Sequence, residues 1–379
     1  MQVRTVFFRN LDAIRFIAAM MVFLQHSISP SFKFLDTRIQ PLLKTLTNGA
    51  TGVSLFFVLS GFLITYLIIT EIDETGKLNI KFFYIRRFLR IWPLYFAVIL
   101  LSFALYPGFK ELLGINNQLG SNIFYHLTFL SNFDSINIIK NCNGKDAMSQ
   151  SITWSVSIEE QFYLFWPLIF LFPRKLWLYS IIGVIVFSIW FRVANNEDSV
   201  VLYFHTFSVL MDLAIGGLFA YLVKTNKQAH EFFEKAGTSA HIILFVSTFC
   251  VLHFGTVFLF GPYEASFGRV IPSLLFAFII ASQGLTTKQS FLCLGNFKFA
   301  DKWGKMTYGI YMLHPIAITI IDVVFRLAGI DYESSFTAII VPGLLMFAGT
   351  LMITWISYVY YEKVFLKMKG SFQKLKTRP

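Results

Sequence analysis

Arg15 and His26 stand eleven positions apart in one apolar run that begins Leu11-Asp12-Ala13-Ile14-Arg15 and continues to Gln25-His26. On a helix, eleven positions amount to about 20° beyond three full turns, so both side chains lie on one face. At 1.5 Å rise per residue they sit ~16 Å apart along the axis. A fixed cation and a titratable imidazole therefore share that face. Two readings are open. In one, Arg15 pairs with Asp12 at i, i+3 and His26 is an interfacial hydrogen-bonder. In the other, His26 is a general base, because imidazole is the side chain whose ordinary pKa lies nearest neutrality.

Two further segments carry chemistry. Phe82-Phe83-Tyr84-Ile85-Arg86-Arg87-Phe88-Leu89-Arg90-Ile91-Trp92-Pro93 places three guanidinium groups close together. That cluster serves equally as a phosphate receptor or as a basic anchor at the membrane face. Trp154-Ser155-Val156-Ser157-Ile158-Glu159-Glu160-Gln161-Phe162-Tyr163 sends two adjacent carboxylates into an apolar helix. Glu159 and Tyr163 share a face, and Glu160 points about 100° away. The alternative is a hydrated helix cap. Asp212, His314 and Glu362 are later polar residues within apolar surroundings, open to structural or functional readings, and His314 precedes Pro315, whose missing N–H frees a backbone carbonyl. A charge at the bilayer centre costs at least ~2.5–3.5 kcal/mol on insertion scales, so each such group needs a partner or a watery cavity. His126 and His205 lack a carboxylate or cysteine ligand spacing, and no metal is expected. No Gly-rich phosphate loop, Gly-x-Ser-x-Gly elbow or His-Glu-x-x-His helix is present.

The elements that must position these residues are membrane helices. The chain has 379 residues, 56% of them hydrophobic and 14% charged. Soluble domains carry roughly 25% charged residues, and the deficit is what a lipid-facing surface requires. Runs long enough to cross the hydrocarbon core lie near 11–29, 50–70, 91–107, 152–173, 176–191, 201–223, 239–260, 269–286, 306–328 and 336–361. The short run 121–133 suits a re-entrant or interfacial helix. The expected fold is all-α: a polytopic transmembrane helix bundle of about ten spans plus that short helix. Lys and Arg cluster in alternate connections (Arg4 and Arg9; Lys77 to Arg90; Arg174–Lys175; Lys224–Lys227; Lys298–Lys305; the tail to Arg378). That pattern puts both termini in the cytoplasm and argues against nucleic acid as the partner of the +11 net charge. The expected division is an integral membrane domain over 1–366 and a basic cytoplasmic tail over 367–379. The first apolar run carries Arg15 and His26 and no small-residue cleavage site follows it, so it reads as the first membrane helix. Cys142, Cys250 and Cys293 form neither a ligand spacing nor a disulfide framework.

Taken together, the motifs resemble acyltransferase family 3, membrane-bound O-acyltransferases that decorate bacterial glycans. The resemblance covers nearly the whole chain. Its carriers are Leu11 to Arg15 with His26, Gly52-Val53-Ser54-Leu55-Phe56-Phe57-Val58-Leu59-Ser60-Gly61-Phe62, the Arg86 to Pro93 segment, Trp154 to Tyr163, Tyr308-Gly309-Ile310-Tyr311-Met312-Leu313-His314-Pro315 and Tyr361-Glu362-Lys363. The resemblance implies acyl transfer from acyl-CoA, commonly acetyl-CoA, to a sugar hydroxyl at a multi-pass protein of the cell inner (plasma) membrane. It ties Arg15 and His26 to activity and Arg86, Arg87 and Arg90 to the coenzyme, and it matches the family's paired Glu segment at Glu159 and Glu160. Two positions depart: Ser54 stands where many members have Asp, and Val364 where Pro often follows Glu-Lys. Many members also carry a C-terminal esterase-like domain; none is expected here, and direct transfer, or hand-over to a separate extracytoplasmic acyl-carrying protein, is expected in its place.

The expected mechanism has the phosphates of acyl-CoA on Arg86, Arg87 and Arg90 with Arg15 deeper, and the thioester near His26. His26 deprotonates the acceptor hydroxyl of an extracytoplasmic or lipid-linked carbohydrate, and Glu159 or Glu160 orients His26 or binds sugar. Ser60 or Trp154 stabilises the oxyanion, and Tyr163 and His314 complete the substrate contacts. The rival class is a transporter or flippase of an anionic or glycan substrate, since intramembrane charges also mark substrate pathways.

Overall fold

The structure, a computed structural model, describes residues 8, 10–34, 36–112, 121–142, 152–287, 290–330 and 336–372. Arg4, Arg9 and the tail residues Lys374, Lys376 and Arg378 lie outside them. All regular structure among the described residues is helical. In chain order, α1 is Leu11–Ser27, α2 Gln40–Leu46, α3 Gly49–Thr75 and α4 Ile80–Leu112. Then come two short helices, α5 Ile123–Leu127 and α6 Ser131–Cys142, and the broken pair of α7 Thr153–Phe165 with a 3-10 turn Trp166–Leu171. The next group is α8 Arg174–Ala194, α9 Ser199–Phe204, α10 Thr206–Thr225, α11 Lys227–Glu234 and α12 Thr238–Phe254. The chain continues as α13 Val257–Phe260, α14 Glu264–Phe267, α15 Val270–Leu285 and α16 Lys298–Gly304. Last are α17 Thr307–Leu327, α18 Phe336–Ser357, a π turn Tyr358–Glu362 and α19 Lys363–Lys369.

Among the described residues, six helices are long and apolar enough to cross a membrane, or up to eight if each bent pair counts as one span. The difference from ten runs has local causes. The first run forms a helix of only 17 residues. The run 152–173 stops being α-helical at Trp166-Pro167, where proline removes a backbone donor. The stretch 121–133 forms the five-residue α5 and then turns at Phe129, whose φ of 55° is left-handed. The Phe129 carbonyl is held there by the Gln161 side-chain amide at 2.7 Å.

The centre of the bundle is α3, which packs along α1 and α10. Its N-terminus is capped by the Asn48 side chain, which accepts from the Thr51 N–H at 3.1 Å. Glycines set how closely the helices approach. A Cβ on Gly61 would stand 1.8 Å from the Leu213 carbonyl oxygen of α10, and one on Gly216 would stand 1.9 Å from that of Val58 in α3. Backbone-to-backbone contact of this kind is the favoured way to pack helices in lipid, where hydrophobic collapse supplies no drive. Asp212, fully buried in α10, accepts from Ser54, Arg269 and Ser273, each at 2.7 Å. Asp212 thereby ties α3, α10 and α15 together, a structural use of a charge in the bundle. Leu100, Val186, Trp190, Leu344 and Met352 are exposed on outer faces, which suits contact with lipid.

Candidate active site: two cavities that share a wall

The helices leave a cavity of about 160 Å³ lined by Arg15, Arg87, Arg90 and Lys305, with Ser60, Glu159 and Tyr163 on its wall. α1 contributes Arg15, α4 the pair Arg87 and Arg90, and the α16–α17 turn Lys305. Arg15 is ion-paired with Asp12. Arg87 lies over the rings of Phe83 and Tyr163, at 5.9 and 5.5 Å, and makes no ion pair among the described residues. Neither does Arg90. The third member of the arginine segment goes elsewhere. Arg86 donates to Glu71 at 2.6 Å and to the Phe372 carbonyl at 3.1 Å, a structural tie away from the cavity.

Glu159 accepts from Ser60 at 2.7 Å and from Tyr163 at 3.1 Å. Both hydroxyl protons are committed to that carboxylate, so Ser60 is not aimed at a developing oxyanion here. Glu160 accepts from the Trp92 indole at 2.7 Å, and its other oxygen is buried with no partner among the described residues. The partner expected for His26 in this acidic pair lies elsewhere.

That partner is His314. The two rings are stacked at 5.2 Å, and His26 Nδ1 lies 3.0 Å from His314 Nε2. His314 Nδ1 in turn lies 3.2 Å from the Ile310 carbonyl oxygen. A carbonyl only accepts, so His314 carries its proton on Nδ1 and offers the Nε2 lone pair. His26 must then donate from Nδ1, which leaves its own Nε2 as an acceptor. This relay fixes the tautomer that a base requires. His314 is 1% exposed, behind His26 and out of the cavity that His26 faces.

That second cavity, of about 290 Å³, is lined by His26, Gln25, Trp154, His126, Asp134 and Tyr203, among others. Val53 and Tyr311 line both cavities and form the wall between them. The Tyr311 hydroxyl donates to the Ile152 carbonyl at 3.1 Å and lies 2.6 Å from Ser155 Oγ, which holds the ring in place. The backbone holds α1 closely enough to align its two ends with the two cavities. A Cβ on Gly304 would stand 1.9 Å from the Asp12 carbonyl, and one on Gly52 2.6 Å from that of Ala18.

Sequence reasoning missed Lys305 as a lining cation, Tyr311 as a wall, and His126 with Asp134 as part of the second cavity. Tyr311 and His314 share a helix face at i, i+3, a signal that could have joined them. No group of three or more His, Cys, Asp or Glu that could hold a metal is found among the described residues.

A cation-lined cavity and a cavity lined by His26 thus lie on either side of Val53 and Tyr311, inside a helical membrane protein. The chain belongs to the acyltransferase domain family known as acyltransferase family 3, whose model matches residues 8–362. It is a multi-pass protein of the inner (plasma) membrane. The peptidoglycan O-acetyltransferase OatA of Listeria monocytogenes (serovar 1/2a) is 28% identical over 339 residues, covering 83% of this chain and 51% of the relative. The O-acetyltransferase OatA of Staphylococcus aureus (strain NCTC 8325) is 29% identical over 293 residues, covering 72% and 47%. A putative O-acetyltransferase of S. aureus strain COL is 27% identical over 294 residues, covering 73% and 47%. The chain thus spans about half the length of the curated relatives it matches. No solved structure matches it.

Proposed function

We propose that this chain moves an acetyl group from cytoplasmic acetyl-CoA to a hydroxyl of an extracytoplasmic or lipid-linked carbohydrate, with His26 as general base. The observation that carries the reading is the pairing of two unlike cavities across the Val53–Tyr311 wall, a cluster of cations on one side and the His26–His314 relay on the other. The donor fits the first cavity because Arg87 and Arg90, both without ion pairs among the described residues, would meet the phosphates of a polyanionic carrier. Arg15 and Lys305 add charge there. The thioester supplies the activated acetyl group.

At the wall, His26 Nε2 takes the proton as the acceptor oxygen attacks the thioester carbonyl. Collapse of the tetrahedral adduct breaks the C–S bond, and the coenzyme thiolate takes up a proton as it leaves. His314 keeps the forming imidazolium oriented through His26 Nδ1–H. The Trp154 indole N–H, which makes no hydrogen bond among the described residues, is a candidate donor to the adduct's oxyanion. Glu159 is assigned to balancing the arginines.

The arginine-lined cavity lies on the side of the bundle that carries Arg174, Lys224 and the Lys298–Gly304 helix. The excess of Lys and Arg there supports a cytoplasmic donor side, with both termini on that side. Purified protein given acetyl-labelled coenzyme A and envelope glycan tests the reading. Wild type is expected to label the glycan, and His26→Ala to lose about 10²–10⁴-fold in rate. Normal labelling by His26→Ala would remove the general-base role, and substrate flux without acetylation would favour a transporter.

A further inference from the structure

The two cavities differ in charge as well as in position. The first gathers four cations, Arg15, Arg87, Arg90 and Lys305. Among the described residues the second contains no Lys or Arg, and its one carboxylate is Asp134. The nearest lysine on the same helix, Lys140, is committed to Asp198.

Asp134 is 4% exposed, and its neighbours under-use it. Its oxygens accept only long contacts from the Asn122 N–H, at 3.4 and 3.3 Å. His126, 2% exposed, lies with Nε2 3.4 Å from Asp134 Oδ2, and that nitrogen has no hydrogen-bond partner among the described residues. Its other nitrogen lies 3.1 Å from the Thr153 hydroxyl, which holds the ring. Two buried polar groups thus face the cavity with capacity to spare, at a cost that a bound ligand's hydroxyls would remove. Across the cavity, the Gln25 carbonyl is occupied by the Gly49 N–H, which leaves its amide N–H₂ as a donor. Trp154, 5.1 Å from Tyr203 and 5.0 Å from Phe204 between ring centroids, supplies an aromatic wall suited to the apolar face of a sugar ring. The volume of about 290 Å³ is at the small end for ligand pockets, roughly 300–1,000 Å³, and suits one ring rather than a buried oligosaccharide.

Resting on the acyl-transfer reading, we propose that the histidine-lined cavity is the acceptor subsite for a single uncharged pyranose, and that Asp134 with His126 selects against sugars bearing carboxylate, sulfate or phosphate. An anionic substituent would enter a site with no Lys or Arg among the described residues and with one carboxylate already inside, and both Coulomb repulsion and desolvation oppose it. The same absence of cations keeps the anionic donor out of this cavity.

The test is ligand-observed NMR on the full chain in nanodiscs, without donor. The probes are paired methyl hexosides and methyl hexuronides of the gluco, galacto and manno series. Within at least one pair the neutral sugar is expected to bind about 10-fold or more tightly than its uronide. In Asp134→Asn, an isosteric change, that ratio is expected to shrink, whereas a merely structural role would weaken both sugars equally and leave the ratio unchanged. Equal binding of neutral and anionic members by wild type, or no binding by any of the six, would overturn the inference. The binding measurement needs no catalysis, so it can fail independently of the acetyl-transfer assay. Loss of acetyl transfer with intact discrimination would remove the enzymatic reading and leave the sugar site.

Discussion

His314 and His26 make different demands on a substitution at position 314. Glutamine there keeps an acceptor for His26 Nδ1–H, while leucine of similar bulk does not. His314→Leu is expected to lower kcat by about 10²-fold while His314→Gln retains most of it, with KM for acetyl-CoA unchanged in both, as steady-state acetyl transfer would show. Equal activities for the two variants would remove the orienting role. The arginine segment divides in the same way. Arg90→Gln removes a cation that faces the cavity and is expected to raise KM for acetyl-CoA about 10-fold. Arg86→Gln breaks the Glu71 pair, whose side chains are 16% and 5% exposed, and is expected to cost about 3–5 kcal/mol of stability while leaving KM alone. A raised KM in Arg86→Gln with unchanged thermal stability would contradict that division.

Among the elements, α5 and α6 line the histidine-lined cavity and are short, so their ties to neighbours matter. The Lys140–Asp198 pair joins α6 to the start of α9, where the Asp198 side chain also caps the helix by accepting from the Val201 N–H at 3.0 Å. The hydrogen bond from Lys140 and those from the backbone hold the Asp198 carboxyl below its ordinary value. A depressed carboxyl contributes stability above its unfolded pKa, and the contribution is lost as pH falls through the folded pKa. Asp198→Ala is therefore expected to cost about 1 kcal/mol at neutral pH, mostly as a lost cap, and less at pH 3. Thermal melts of both proteins at the two pH values check this; a cost that is the same at both would contradict it. By contrast, α1 and α3 combine backbone contact at Gly52, Gly61, Gly216 and Gly304 with apolar burial along their length, from Leu11 to Phe23 in α1.

For the whole molecule, Val53 and Tyr311 line both cavities, and the proposed function assigns that wall to keeping a reactive thioester from water on the far side. Tyr311→Ala opens that wall and removes the contacts to Ser155 and Ile152. It is expected to raise acetyl-CoA hydrolysis several-fold relative to acetyl transfer, measured as free acetate against labelled glycan. Unchanged partitioning would mean that the wall does not govern access.

Much of this was legible in the chain itself. Low charge and long apolar runs dictate helices in a membrane, because only internally satisfied backbone survives in lipid. The helical period alone puts Arg15 and His26 on one face, and the order of motifs points to the family. The partners of those residues were not legible. Arg86, Arg87 and Arg90 look equivalent in sequence, yet neighbouring helix positions point about 100° apart, and only packing decides that Arg86 meets Glu71 while the others meet a cavity. His26 finds His314, 288 positions away, because α1 and α17 lie side by side. The short helix in 121–133 was expected, but the breaks in the other runs escaped notice for a related reason: lengths near the threshold of a span are set by prolines, caps and neighbouring side chains rather than by hydropathy. Sequence determined the solvent and the reactive groups; tertiary structure decided which of them face each other, and across what wall.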